Sequence, residues 1–368
     1  MANLARSNLT QRKTRAAISI ISVAVEVTLV LILIGLTTGS LNEVGRRIEN
    51  LDSDIILLPP GSQPILSMNL GTMPIRGVSG IMDGIPEIRA YTPVVFGNTT
   101  KFGSFGMVFG IEPESYQTAS RGIELLDGEH FTGPNSLILD RRLAAAENLS
   151  VGDEVDLFNR PFTISGVCQD GAGVRIYAPL STLQDVFGKK RKTSSFLIKC
   201  TDEDQIQTVL AKLKDSPPLK GYVLINNRNY SKMLMNNAFG LKEFITAIMF
   251  VAITFGFLVI LLAMYTTIVE RTRQIGILKS LGASKCYIMK MIMEEASILC
   301  FIGVLLGYIL AGSTKLGLER LHPTLTIEIT LQWIALSGLL AIAGGFLGAL
   351  YPAMRAASID PVQALQEE

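Results

Sequence analysis

The sequence predicts a membrane α-helical fold: four transmembrane helices plus a large mixed α+β extracytoplasmic domain on a helical stalk. Three observations predict it. Four apolar stretches, Ala16 to Leu36 and roughly Phe244 to Ile268, Ala296 to Thr314 and Leu331 to Leu350, each approach the ~20 residues that a helix rising ~1.5 Å per residue needs to cross a bilayer core. One long polar region separates the first stretch from the other three. The whole chain is 48% hydrophobic and only 18% charged, against roughly 25% charged in ordinary soluble domains.

Taken in order, residues 1–15 form a basic N-terminal segment carrying Arg6, Arg12, Lys13 and Arg15, and residues 16–38 form the first span. A cleaved signal peptide is the competing reading of this start. The apolar run exceeds a typical signal-peptide core, and Thr37-Thr38-Gly39-Ser40-Leu41 lacks a small-x-small cleavage site. Glu26 sits in mid-span, where a carboxyl costs a few kcal/mol to insert and therefore faces the interior. A structural or dimer-contact role, with Ser22 one turn away as a hydrogen-bond partner, stands beside a substrate or proton role.

Residues 39–53 continue the helix beyond the span, with Leu41, Val44, Ile48 and Leu51 as an apolar stripe and Asn42, Glu43, Arg46, Arg47 and Glu49 opposite. Residues 229–243 return with Leu234, Ala238 and Leu241 at the same spacing. The two stripes either pair as a helical stalk or pack on the base of the domain. Between them, 54–228 reads as α+β. Apolar or alternating runs at Asp54 to Leu58, Met107 to Ile111, Glu154 to Phe158, Phe162 to Val167 and Phe196 to Cys200 predict strands, with a hairpin at Asn159-Arg160. Helices are expected at Arg141 to Asn148, Ser181 to Phe187 and Asp202 to Lys214, and a loop at Leu66 to Gly77, where Met68, Leu70 and Met73 form either an exposed tip or core. The domain divides into two subdomains, one of them a central insertion. Cys168 and Cys200 are either a disulfide or two buried thiols. Lys189-Lys190-Arg191-Lys192 is a solvated loop or a contact for an acidic partner or anionic headgroups.

The second span, 244–268, leads into a segment at 269–290 that carries Arg271, Arg273, Lys279, Lys285 and Lys290. Basic flanks mark the cytoplasmic side, which places both termini inside and 54–228 outside. Ile275, Leu278 and Leu281 suggest a short interfacial helix, Gly282 its left-handed stop and Ser284 the cap of the next helix. This is either a helix shaped for a groove on a motor protein or an ordinary interfacial turn. The third span covers 291–315, an outer loop 316–330, the fourth span 331–350 and a cytoplasmic tail 351–368. Gly303/Gly307 and Gly344/Gly348 have the spacing that lets helix backbones approach, within this chain or across a dimer.

The segment Gln274-Ile275-Gly276-Ile277-Leu278-Lys279-Ser280-Leu281-Gly282-Ala283-Ser284 resembles the coupling stretch of the MacB/FtsX-type ABC transporter permeases. Tyr351-Pro352-Ala353-Met354-Arg355-Ala356-Ala357-Ser358-Ile359-Asp360-Pro361-Val362-Gln363-Ala364-Leu365 is similar to that family's closing signature, and Gly152-Asp153-Glu154-Val155 through Gly166-Val167 resembles its outer-domain core. The resemblance implies a permease in the bacterial inner membrane, paired with a second permease chain, a homodimer being favoured, on two ABC ATPase subunits. It implies mechanotransmission: ATP-driven closure moves the stalk and outer domain, so that an amphiphilic lipid, lipoprotein or peptide is exported or extracted. Gln274, Ile275, Gly276, Ile277, Leu278, Lys279, Leu281 and Gly282 would meet the ATPase, joined by Asp360, Pro361, Val362 and Leu365. Membrane lipids, a periplasmic adaptor and an outer-membrane channel complete the expected partners.

The sequence holds no GxxxxGK[ST] loop to cradle a nucleotide phosphate, so ATP and Mg are expected in the partner ATPase and no cofactor in this chain. His130 and His322 stand far apart and no Ser/His/Asp or metal constellation is present; no catalytic or metal-ligating residue is assigned, and an enzyme is not expected. Net charge is +1, without the basic excess that nucleic acid would require. The alternative function is a signalling regulator that activates an extracytoplasmic hydrolase without transport.

Overall fold

A computed structural model describes residues 13–62, 71–102, 106–169, 173–227, 229 and 241–360. Its contacts divide the chain into two units, one taking in the described residues up to 39 with 241–320 and 325–360, the other those from 40 to 229 with 321–324.

The first unit is helical. Helix α1 (Lys13–Glu49) enters it with its first three-quarters, and three more apolar helices are each long enough to span a membrane. Two of those lie in the second half of the chain at Lys285–Leu321 and Leu331–Ser358, the third at Leu241–Glu270. In chain order they are α7 (Leu241–Glu270), α9 (Lys285–Leu321) and α10 (Leu331–Ser358), with the short α8 (Thr272–Ser280) between the first two. α9 continues helically to Leu321 and α10 to Ser358, through Pro352.

Val23, Val27, Leu31, Ile260, Met264, Leu299, Val304 and Ala349 form the core of this unit. The glycine pairs work inside the chain. A Cβ on Gly303 or Gly307 would come within 2.7 and 2.8 Å of the Cβ atoms of Val23 and Val27, and one on Gly348 within 2.5 Å of the Phe257 carbonyl. Thus α9 lies backbone-close on α1 and α10 on α7, and Thr28 Oγ1 donates to the Gly307 carbonyl at 3.1 Å.

The second unit is the α+β domain. Its 10-stranded sheet runs in the order β12-β1-β11-β3-β4-β9-β6-β8-β5 with β7 on β8, where β1 is Ile55–Leu58, β3 Ile88–Thr99, β4 Gly106–Ile111, β5 Leu125–Gly128, β6 Ser136–Asp140, β7 Glu154–Leu157, β8 Arg160–Cys168, β9 Ile176–Pro179, β11 Ser195–Cys200 and β12 Val223–Asn226. β4–β9 and β6–β8 are parallel and the other pairs antiparallel. The long β3 pairs with β11 along Ile88–Val94 and with β4 along Val95–Thr99. One strand thus serves two lobes, and the chain from β4 to α5 (Leu180–Val186) forms the insertion.

Each lobe has its own core: Ile55, Leu57, Phe196, Ile198, Val209 and Leu213 in the first, Val95, Val108, Leu137, Phe162, Ile164 and Leu183 in the second. Cys200 belongs to the first lobe's core and Cys168 to a third cluster around Tyr116, on helix α3 (Pro113–Ala119), and Tyr177, and neither is in a disulfide. Of the two readings of this pair, the structure shows two buried thiols.

Several local expectations shift. The β7–β8 turn is Phe158-Asn159, both at positive φ (53° and 60°) with Leu157 opposite Arg160, the two-residue hairpin geometry that matches strand twist; the expected turn lay one residue later. The expected loop at Leu66 to Gly77 contains strand β2 (Met73–Pro74) and the start of helix α2 (Ile75–Met82), because Met73, Val78 and Met82 bury into the first lobe; residues 63–70, including Met68 and Leu70, lie outside the described residues. Helix α4 (Arg141–Glu147) begins at the Asp140 cap and ends at Asn148 in the left-handed region, φ 54°.

Candidate functional site

The elbow at Thr272–Ser280 is where most of the predicted site residues meet. Helix α8 starts one residue after α7 ends and stops in a Schellman motif: Ala283 N donates to the Leu278 carbonyl and Gly282 N to the Lys279 carbonyl, both at 3.0 Å. Gly282 takes φ 94°, a value that a residue with a Cβ resists. Ser284 then caps α9, its Oγ accepting from Tyr287 N at 3.2 Å. These three devices were legible in the sequence.

The elbow is fastened at both ends. Arg271 Nη1 lies 3.3 Å from Glu295 Oε2, both side chains nearly buried. Lys279 Nζ donates to the Ala357 carbonyl at 3.0 Å and to the Ile359 carbonyl, acceptors left open by the end of α10 and favourable to a cation. Helix α8 and the end of α10 are therefore joined. Arg355 adds a bond from Nη1 to the Tyr265 hydroxyl of α7 at 3.3 Å, with its guanidinium 5.3 Å from the ring centroid.

The exposed face differs from the predicted one. Of the apolar set expected there, Ile275 is 3% exposed and packs with Ile268, Ile288, Ala353 and Ala356. Gly276 is buried and Leu278 half-buried, whereas Arg273, Gln274, Ile277 and Leu281 face outward, Ile277 at 45% and Leu281 at 80% exposure. Asp360 is exposed at the end of the described chain; Pro361, Val362 and Leu365 lie outside the described residues. Glu295 was missed. Its signal was a carboxyl one helical turn from both Ile292 and Leu299, which places it on their buried face.

Glu26 is buried and its carboxyl fills a notch over Gly256 of α7, where a Cβ would meet its oxygens at 2.6 and 2.8 Å. Ser22 does not bond it, its Oγ donating instead to the Ile18 carbonyl at 2.9 Å. Of the predicted stripe, Leu51, just beyond α1, is buried in the cluster with Tyr116 and Tyr177, while on α1 Leu41 and Ile48 are half-buried and Val44 is 49% exposed. Leu234 lies outside the described residues, and of Leu241 only its place at the start of α7 is described.

The polar side of that helix end is the side that enters the domain. Glu43 Oε1 receives Arg47 Nε at 3.0 Å and Arg175 Nη2 at 2.7 Å, and Arg47 Nη2 reaches Asp140 Oδ2 at 2.7 Å. Nearby, burial pushes the Tyr116 hydroxyl up to about 12, so it stays neutral beside Tyr177. In the basic run at Lys189 to Lys192, Lys190, Arg191 and Lys192 are exposed, as in a solvated segment; Lys190 pairs with Asp185 at 3.4 Å, Ile75 N bonds the Arg191 carbonyl at 3.1 Å, and Lys192 opens strand β10 (Lys192–Thr193), which pairs with β2. Among the described residues no group of His, Cys, Asp and Glu is placed to hold a metal.

Comparison with known proteins agrees with this architecture. Residues 16–216 match the MacB-like periplasmic core domain and residues 246–361 the FtsX-like permease C-terminal. The macrolide export ATP-binding/permease protein MacB of Sodalis glossinidius is 25% identical over all of this chain, and that of Shewanella sp. is 23% identical over the same share. The chain spans 60% of the length of each. Among solved structures, the periplasmic region of MacB from Actinobacillus actinomycetemcomitans aligns with 51% of this chain and 96% of its own at 18% identity, TM-score 0.38. The extracellular domain of the noncanonic ABC-type transporter YknZ from Gram-positive bacteria aligns with 47% and 100% at 20% identity, TM-score 0.36. With both family matches in sequence order and the first covering more than half of its residues, the chain belongs to the MacB/FtsX-type family of ABC transporter permeases.

Proposed function

We propose that this permease couples ATP hydrolysis by a partner ABC ATPase to movement of its α+β domain, and that this movement exports or extracts an amphiphilic substrate: a lipid, lipoprotein or peptide. The elbow faces the cytoplasm and seats in the ATPase. A second copy of the chain completes the membrane assembly, with an adaptor and outer-membrane channel as further partners. The observation that carries the reading is the mounting of α8. A helix that only turned the chain around would not need Lys279 on the end of α10 and Arg271 on Glu295, while it exposes Ile277 and Leu281. A rigidly held, outward apolar pair is what a groove on a motor subunit requires.

The test is purification in mild detergent with identification of the co-purifying ATPase. Ile277→Glu and Leu281→Glu, both at exposed positions, are expected to lose the ATPase while the chain keeps its melting temperature. Retention of the ATPase by both variants would sink the proposal.

A further inference from the structure

The charged cluster at the end of α1 holds two arginines that look equivalent and are not. Arg47 is tied to both carboxylates, Glu43 at 3.0 Å and Asp140 at 2.7 Å, and its side chain is about nine-tenths buried. Asp140 cannot spare it. The other Asp140 oxygen, Oδ1, accepts from Leu143 N at 2.7 Å as the cap of α4, and the only other cation near Oδ2 among the described residues is Arg175 Nε at 4.0 Å. Arg175 is different. Its backbone is fixed by Asp140 N donating to its carbonyl at 2.8 Å, and one terminal nitrogen, Nη2, serves two acceptors, Glu43 Oε1 at 2.7 Å and the Thr324 carbonyl at 2.9 Å. If Arg175 is removed, Glu43 still has Arg47, with Arg142 Nη1 at 3.7 Å. Thr324, in the segment between α9 and α10, is the group that loses its charged donor.

From this asymmetry we infer that Arg175 is a positioning residue for the transport cycle: it makes the segment around Thr324 follow the Glu43 end of the first helix, while Arg47 in the same cluster is structural. The transmission role rests on the motor-coupled reading proposed above. Geometry favours transmission over simple stapling, because a single nitrogen bridging a carboxylate and a carbonyl ties the two together, so that Thr324 either moves with Glu43 or loses its donor. A shift of Glu43 is therefore felt at Thr324 directly.

The test uses the full chain with its co-purified ATPase in lipid nanodiscs and hydrogen–deuterium exchange over residues 318–330, with Arg175→Met, Arg47→Met and Arg142→Met. Arg175→Met is expected to speed exchange at 321–328 roughly tenfold, the loss of one charge-assisted bond, with the melting temperature of the α+β domain kept. Arg47→Met is expected to lower that melting temperature, and Arg142→Met to change neither. Arg175→Lys keeps a cation beside Glu43 with one head for two acceptors, and releases the segment without a folding defect. Added ATP is expected to change exchange at 321–328 in the wild type and not in Arg175→Met. Wild-type exchange at 321–328 in both Arg175 variants overturns the inference, as does a full ATP response in Arg175→Met. A wild-type complex in which ATP alters no peptide at all is a different outcome: the motor-coupled reading falls and takes the transmission role with it, while the release by Arg175→Met would still be seen.

Discussion

Lys279 and Ala357 stand 78 residues apart in the chain and 3.0 Å apart in the fold, ammonium on carbonyl. The contact closes the elbow onto the end of α10.

Lys279→Met removes that bond and is expected to loosen the elbow by about 1.5–3 kcal/mol, the range for a hydrogen bond to a charged group. Hydrogen exchange over 272–284 would rise well above wild type while the α+β domain is unchanged. Unaltered exchange in the elbow would show the bond to be idle.

Cys286 is an exposed thiol two residues after Ser284, whereas Cys168, Cys200 and Cys300 are buried. Burial, with the Asp54 charge beside it, also pushes the Cys200 thiol up to about 11, which keeps it from the reactive thiolate form. At neutral pH a maleimide is expected to modify one cysteine in the native protein and all four after denaturation. A membrane-impermeant maleimide is expected to reach Cys286 in inverted vesicles and not in intact spheroplasts; the reverse pattern would place the elbow on the outer side.

On α9, Gly307 and Gly312 offer an internal comparison. A Cβ at Gly307 meets Val27 and the Ala24 carbonyl at 2.8 and 3.0 Å, and one at Gly312 meets nothing within 4 Å. Gly307→Ala is expected to cost about 1–3 kcal/mol through overpacking, read as a lower melting temperature in detergent, and Gly312→Ala to be neutral or to stabilise by about 0.5–1 kcal/mol through helix entropy. Equal effects would remove the α1–α9 contact as the cause.

Gly256→Ala is expected to be costly by a similar mechanism, since its new methyl would strike the Glu26 carboxyl. Glu26→Ala should then suppress the defect, a coupling that a double-mutant cycle reads directly. Additive effects of the two substitutions would mean that the carboxyl does not occupy the notch.

What the sequence made legible is local. The four spans, the Gly282 stop, the Ser284 cap and the Arg141 to Asn148 helix follow from neighbours a few residues away. What stayed hidden depends on distant partners. Glu43 and Arg47 read as the solvent side of an amphipathic helix, yet Asp140 and Arg175 bury them and leave Val44 exposed. Ile275, Leu278 and Leu281 fit a helical stripe, but the bundle claims Ile275 and leaves Ile277 outside. Strand β3 was not anticipated, because Ile88-Arg89-Ala90-Tyr91-Thr92-Pro93 carries no clean alternation and a proline in its midst. Its pairing on both sides with β11 and β4 is what holds it extended.

That shared strand limits how the α+β unit can deform. With Ile88–Val94 in one lobe and Val95–Thr99 in the other, no linker separates the lobes, and the partner of β3 changes from β11 to β4 between two consecutive residues. The two lobes are therefore joined through one extended, hydrogen-bonded backbone, a stiffer join than a flexible linker would give.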